Sequence, residues 1–84
     1  MAEEKLIGKI IHFYTNIGVG IIELSDALNV GDKIHVKGGS TDFEQTVDSM
    51  QVEHANVQAA KAGDSIGVKL NEKVKEGDEV FKVE

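Results

Sequence analysis

Three histidines, His12, His35 and His54, are the first side chains in this sequence able to do chemistry. Imidazole nitrogens ligate divalent metals and move protons near neutral pH. A local ligand pair needs short spacing of the His-x-x-x-His type, and these three lie far apart in the chain. The simpler reading is three independent surface or rim histidines, with no metal expected. Carboxylate pairs are plentiful: Glu3-Glu4, Asp42 with Glu44, and Asp78-Glu79. Acid–base work by such a pair needs a dry pocket that drives the two pKa values apart. These pairs fall in turns or tails, which reads as solvated charge. No stretch spells a phosphate-cradling P-loop, a dinucleotide fingerprint opening a helix, or a nucleophile elbow, and there is no Cys. The residues therefore predict a chain that is not an enzyme and holds no cofactor.

The lysines suggest binding instead. Lys33 and Lys37 share a strand face opposite Ile34 and Val36, and Lys9 or Lys69 can join them across a sheet. Such a basic stripe could touch an RNA backbone; the competing reading is a solvated face whose lysines guard sheet edges. The charge balance opposes tight, autonomous nucleic-acid binding. Fifteen acidic residues outweigh nine basic ones, giving a net charge of −6, and phosphate neutralisation dominates such affinity. All nine basic residues are Lys, so the planar fork that grips phosphates and guanine edges is missing. Phe13, Tyr14, Phe43 and Phe81 are too scattered to promise a stacking platform. Without Cys, signal peptide or membrane-length apolar run, the expected setting is the cytoplasm, with no membrane partner.

The elements that must position these residues are written in a repeated phrase. An apolar residue, two spacers, Gly-Asp, one spacer and an apolar residue recur at Leu28–Ile34, Ala60–Ile66 and Val74–Val80. Each Gly can take positive φ, and each Asp can bond nearby backbone N–H groups, so each phrase predicts a tight turn launching a strand. Strands are expected over Leu6–Tyr14, Val19–Leu24, Lys33–Lys37, Asp42–Glu53, Ser65–Leu70 and Glu79–Val83. The first two form a hairpin about Thr15–Gly18, and the next two a hairpin about Gly38–Thr41. Gly8 with the doubled Ile10-Ile11 predicts a bend or bulge, as does the parity switch from Phe43 and Val47 to Met50 and Val52. Residues 54–62 read as a loop with at most one helical turn. The sum is one all-β domain over residues 1–84, a small six-stranded antiparallel β-barrel with residues 1–5 as a charged lead-in.

Gly8-Lys9-Ile10, the Val19–Leu24 strand, Leu28-Asn29-Val30-Gly31-Asp32-Lys33-Ile34, Ala62-Gly63-Asp64-Ser65-Ile66-Gly67-Val68 and the closing Val74–Val80 phrase together resemble the second domain of translational GTPases such as elongation factor Tu. The resemblance runs from about Leu6 to Val83. It implies a translation-factor barrel without its GTPase domain, working as a binding module on ribosome, tRNA or a translation-related protein. It also implies that Glu53, in the pair Val52-Glu53, stands where the family faces the terminal adenosine of tRNA. The RNA-contacting set expected is then Glu53 with Lys33, Lys37 and Lys69. Asn71-Glu72 and Ser25-Asp26-Ala27 replace the family's Arg-Gly turns. A similar small barrel ends some U32-peptidase-like proteins that modify tRNA. The second function expected is a protein-interaction barrel acting in trans on a partner enzyme.

Overall fold

The computed structural model describes residues 4–53 and 55–83. Its strands, in chain order, are β1 (Glu4–Tyr14), β2 (Val19–Leu24), β3 (Leu28–Asn29), β4 (Lys33–Lys37), β5 (Asp42–Thr46), β6 (Met50–Val52), β7 (Ala55–Val57), β8 (Ala59–Ala60), β9 (Ser65–Lys69) and β10 (Glu79–Val83). Eight of them form one antiparallel sheet in the order β5-β4-β10-β1-β2-β9-β6-β7, and β3 pairs with β8 as a separate ribbon. No helix among the described residues is long and apolar enough to cross a membrane.

The Gly-Asp phrases are three copies of one corner, and they launch β4, β9 and β10. Gly31, Gly63 and Gly77 take φ of 98°, 92° and 94°, a region that costs a side chain dearly. The following carboxylate accepts from the N–H three residues earlier: Asn29 to Asp32 at 2.9 Å, Lys61 to Asp64 at 3.2 Å, and Lys75 to Asp78 at 2.9 Å. The Asp N–H donates back to that same residue's carbonyl at 3.1 Å in all three. Leu28, Ala60 and Val74 before the corners and Ile34, Ile66 and Val80 after them are buried. Each corner thus carries the chain from one core position to the next.

β1 holds the two halves of the sheet together by bending. Its register slips between Leu6 and Gly8 against β10, and between Ile10 and His12 against β2. The Ile10-Ile11 pair is the second bulge: Ile10 is buried and Ile11 turns outward. Inside the curl lie Ile7, Ile10, Ile22, Leu28, Ile34, Val36, Val47, Met50, Ile66, Val68 and Val80, all but excluded from solvent. Burying each such side chain contributes roughly 1.5–3 kcal/mol, and this apolar packing is what the alternating strands were patterned to give.

Four expectations are corrected. The fold is all-β and antiparallel, yet it is an eight-stranded open sheet with a ribbon, not a closed six-stranded barrel. The segment from Asp42 to Glu53 is not one bulged strand. β5 ends at Thr46, Val47 bonds back to the first Gly-Asp corner (Val47 N–H to Asp32 C=O, 2.8 Å), and β6 rejoins the sheet beside β9. Residues 55–60 supply two short strands rather than a helical turn; His54 lies outside the described residues. Glu4 and Lys5, read as lead-in, are the first rungs of β1, opposite Val83 and Lys82.

Across the open seam the closure is made by a side chain. Gln45 on β5 donates its amide to the Lys69 carbonyl at 2.9 Å and accepts from the Asn71 N–H at 2.7 Å. Gln45 is buried, and both halves of its amide are used.

Candidate functional site

The outer face of the β1-β10-β4-β5 half carries the densest chemistry. With Ile34 and Val36 turned inward, Lys33, His35 and Lys37 face outward. The β4–β5 ladder sets Glu44 directly opposite His35 and Asp42 opposite Lys37. From β1, Glu4 reaches across β10 to the same spot. His35 is only 8 % exposed. Its Nδ1 lies 2.7 Å from Glu4 Oε2 and 3.8 Å from Glu44 Oε2, and its Nε2 bonds Asp42 Oδ1. The remaining oxygens of the two glutamates go to lysines: Glu4 Oε1 lies 3.4 Å from Lys37 Nζ, and Glu44 Oε1 lies 2.9 Å from Lys33 Nζ. Lys37 also sits over the Phe81 ring, 5.5 Å from its centre.

The electrostatics follow from this geometry. Asp42, then Glu4, hold the His35 imidazole above its ordinary pKa by bonding its charged form, against the opposing effect of burial. Glu4 and Asp42 are lowered in turn, chiefly by their hydrogen bonds to His35. The carboxylates read from the sequence as solvated charge are corrected in part: Asp42, Glu44 and Glu79 are exposed, but Glu4, Asp42 and Glu44 converge on one imidazole and Asp78 is buried in its corner, while Glu3 lies outside the described residues. His12 stands apart, with Nδ1 3.2 Å from Glu76 and its ring edge-on to Tyr14.

A second feature lies on the outer face of β2, β9 and β6. Val19 and Ile21 flank Gly67, which leaves a dent in the sheet, and Tyr14 and Ile17 stand over it from the first hairpin. Ile17 is 61 % and Tyr14 48 % exposed. Gln51, Glu53 and Ser65 form a polar rim. Exposed apolar surface grouped this way, with a polar border, is characteristic of contact surfaces.

The expected RNA-contacting set is divided between these two places. Lys33 and Lys37 share the β4 face, each bonded to a glutamate. Lys69 is exposed at the end of β9, and Glu53 sits in the β6–β7 turn with φ of 52°. Lys33 and Lys37 are brought together; Lys69 and Glu53 belong to the other half of the sheet. The aromatic residues do not assemble either: Phe43 is buried, Phe13 packs on the core, and Phe81 underlies Lys37. His35 with its carboxylates was missed, although a signal existed. A hairpin about Gly38–Thr41 puts the alternating Lys33, His35 and Lys37 opposite Asp42, Glu44 and Thr46.

No protein-family model matches the chain. An uncharacterized protease of Methanocaldococcus jannaschii is 45 % identical over 76 residues, which is 89 % of this chain and 19 % of that protein. A collagenase of Porphyromonas gingivalis is 29 % identical over 82 residues, covering 95 % of this chain and 23 % of the relative. The chain thus spans about a fifth of the length of the curated relatives it matches. Among solved structures, the C-terminal domain of a Geobacillus thermoleovorans protein named as a U32 peptidase superposes with a TM-score of 0.87 at 15 % identity, covering 93 % of this chain and 91 % of that one. Its selenomethionine variant gives 0.86 at 14 % identity, over 90 % and 96 %.

These relatives overturn the kinship with elongation factors and the translation role drawn from it. The matching proteins are named proteases and collagenases, and the matching fold is the C-terminal domain of a U32 peptidase. The reason is physical: Gly-Asp corners between Ile/Val strands report how a small antiparallel sheet is built, and unrelated proteins build it the same way. The chain is similar in sequence to about a fifth of longer proteins named protease or collagenase, and in fold to the C-terminal domain of a protein named as a U32 peptidase.

Proposed function

We propose that this chain is the accessory β module of a U32-type peptidase, a non-catalytic domain that docks on a catalytic body and completes it, whether joined to that body or acting in trans. The observation that carries this reading is the 45 % identity over 76 residues to a protease-named protein five times longer. Two features agree with it. His12 and His35 bond carboxylates, whereas a nucleophilic dyad needs an imidazole turned to a hydroxyl or thiol. The apolar dent beneath Tyr14 and Ile17 offers a contact face of the right character for a neighbouring domain.

The test is a chimera. In the Methanocaldococcus relative, the matching stretch is replaced by this chain, and hydrolysis of denatured protein is compared with that of the intact relative and of a version lacking the stretch. The chimera is expected to retain hydrolysis that the deletion loses. Ile17→Asp in the chimera is expected to weaken it, because a single buried apolar anchor at such a contact is commonly worth more than about 1 kcal/mol. A deletion that cleaves as well as the intact protein, or a folded but inert chimera, overturns the proposal.

A further inference from the structure

We propose that Glu4, His35 and Glu44 form a binding site for a single divalent transition-metal ion, of the zinc type, on the outer face of the β1-β10-β4-β5 half-sheet. This assignment stands apart from the docking role above. Each of the three residues offers one ligand atom within 4.8 Å of the others, and His35 Nδ1 faces Glu4 Oε2 and Glu44 Oε2. Around a tetrahedral zinc bound at 2.0–2.2 Å, ligand atoms sit about 3.3 Å apart. The distances from Nδ1, 2.7 Å to Glu4 and 3.8 Å to Glu44, bracket that value. A shift of about half an ångström in each glutamate oxygen, outward for Glu4 and inward for Glu44, brings both to it.

The surrounding groups are arranged as an outer shell, and this distinguishes the cluster from a chance gathering of acids. A metal-bound histidine characteristically donates its other ring N–H to a carboxylate, which fixes tautomer and orientation. Here Asp42 takes Nε2 and leaves Nδ1 facing the two glutamates. Each glutamate has its second oxygen held by a lysine, Lys37 for Glu4 and Lys33 for Glu44. Every donor is thus aimed by a partner on its far side. The ligands come from three strands fixed by ladder pairing, and His35 itself is nine-tenths buried. One nitrogen and two oxygens suit zinc, cobalt or manganese; calcium and magnesium prefer sets built from oxygen alone. The ion takes the place of the imidazolium proton, so binding releases a proton.

The protein, stripped with a chelator, is titrated with zinc by calorimetry and with cobalt by visible absorption. One ion per chain is expected, with calcium failing to compete and with a rise in melting temperature, since the ion ties β1 to β4 and β5. Glu44→Gln and Glu4→Gln are each expected to weaken binding by about tenfold or more, while His12→Gln leaves it unchanged. Glu44 is exposed, so its variant folds, which circular dichroism checks. An absence of heat and of a cobalt spectrum up to about 1 mM, a range that covers even weak sites, overturns the proposal. So does binding that survives both glutamate variants or follows His12.

Discussion

His35 is bonded by carboxylates at both ring nitrogens while nearly sealed from water, and this makes stability depend on pH in a defined direction. The fold raises its pKa, so its contribution is fully present below the ordinary imidazole value of 6.5 and is lost as pH climbs through the raised value. Glu4 and Asp42 are lowered, so theirs is present above the ordinary values of 4.5 and 3.8 and is lost as pH falls through the lowered ones. Metal-free protein in chelator should therefore melt highest at mildly acid pH and lose stability from about pH 6.5 upward, and His35→Gln should flatten that alkaline limb. Melting temperatures across a pH series check both. Two neighbouring glycines make a second contrast at the same scale. A Cβ on Gly38 would stand 1.9 Å from Asp78 Oδ1, whereas one on Gly39 meets nothing within 4 Å. Asp78 is buried and fixed in its corner, so it cannot yield. Gly38→Ala is expected to cost about 1–3 kcal/mol and Gly39→Ala close to nothing in denaturant unfolding.

At the scale of elements, the three Gly-Asp corners are alike in bonding and unlike in burial, which ranks them. Asp78 is 6 % exposed, whereas Asp32 and Asp64 are half-buried. Removing the carboxylate from a buried corner leaves the Lys75 N–H without its acceptor in a site poor in water. Asp78→Ala should then cost about 1–3 kcal/mol, and Asp64→Ala nearer 1; chemical denaturation of the two variants measures the difference. A ranking that runs the other way would mean that strand launching, not burial, governs these turns. These corners were legible in the sequence because everything they need is local: a glycine free to reach positive φ, an acceptor one residue on, and apolar residues at both ends. The β1 bulge was legible for the same reason, from Ile10-Ile11. The break after β5 was not. A switch of parity between Val47 and Met50 is produced equally by a bulge and by a chain leaving one strand neighbour for another, and only long-range pairing decides which. The candidate site divides in the same way. His35 opposite Glu44 follows from hairpin register, but Glu4 joins them only because β10 inserts between β1 and β4.

The whole molecule is a curled sheet whose two edges, β5 and β7, do not pair with each other. Unpaired edges invite another chain, and here β5 is tied down by one amide. Gln45 occupies the inward parity shared with Phe43 and Val47, where an apolar residue would pack more simply. A polar residue at that place is justified by its two bonds, to the Lys69 carbonyl and from the Asn71 N–H. It thereby substitutes for ladder rungs that the strand order cannot supply. Gln45→Leu should leave the core filled but both backbone groups unpartnered, costing about 1–3 kcal/mol. Gln45→Glu keeps the acceptor for Asn71 but sets a carboxylate against the Lys69 carbonyl, so it should rescue little. Hydrogen exchange gives the local readout: the Asn71 amide should lose protection in Gln45→Leu and keep it in Gln45→Glu, which retains its acceptor, while amides in β1 and β2, remote from the seam, slow or speed only with global stability. If Asn71 stays protected in Gln45→Leu at unchanged stability, backbone packing closes the seam and the side chain is incidental. If instead the variant associates into dimers, the freed β5 edge has found a strand in a second copy. That outcome would identify the single amide as the device that keeps the β5 edge from pairing with a second copy.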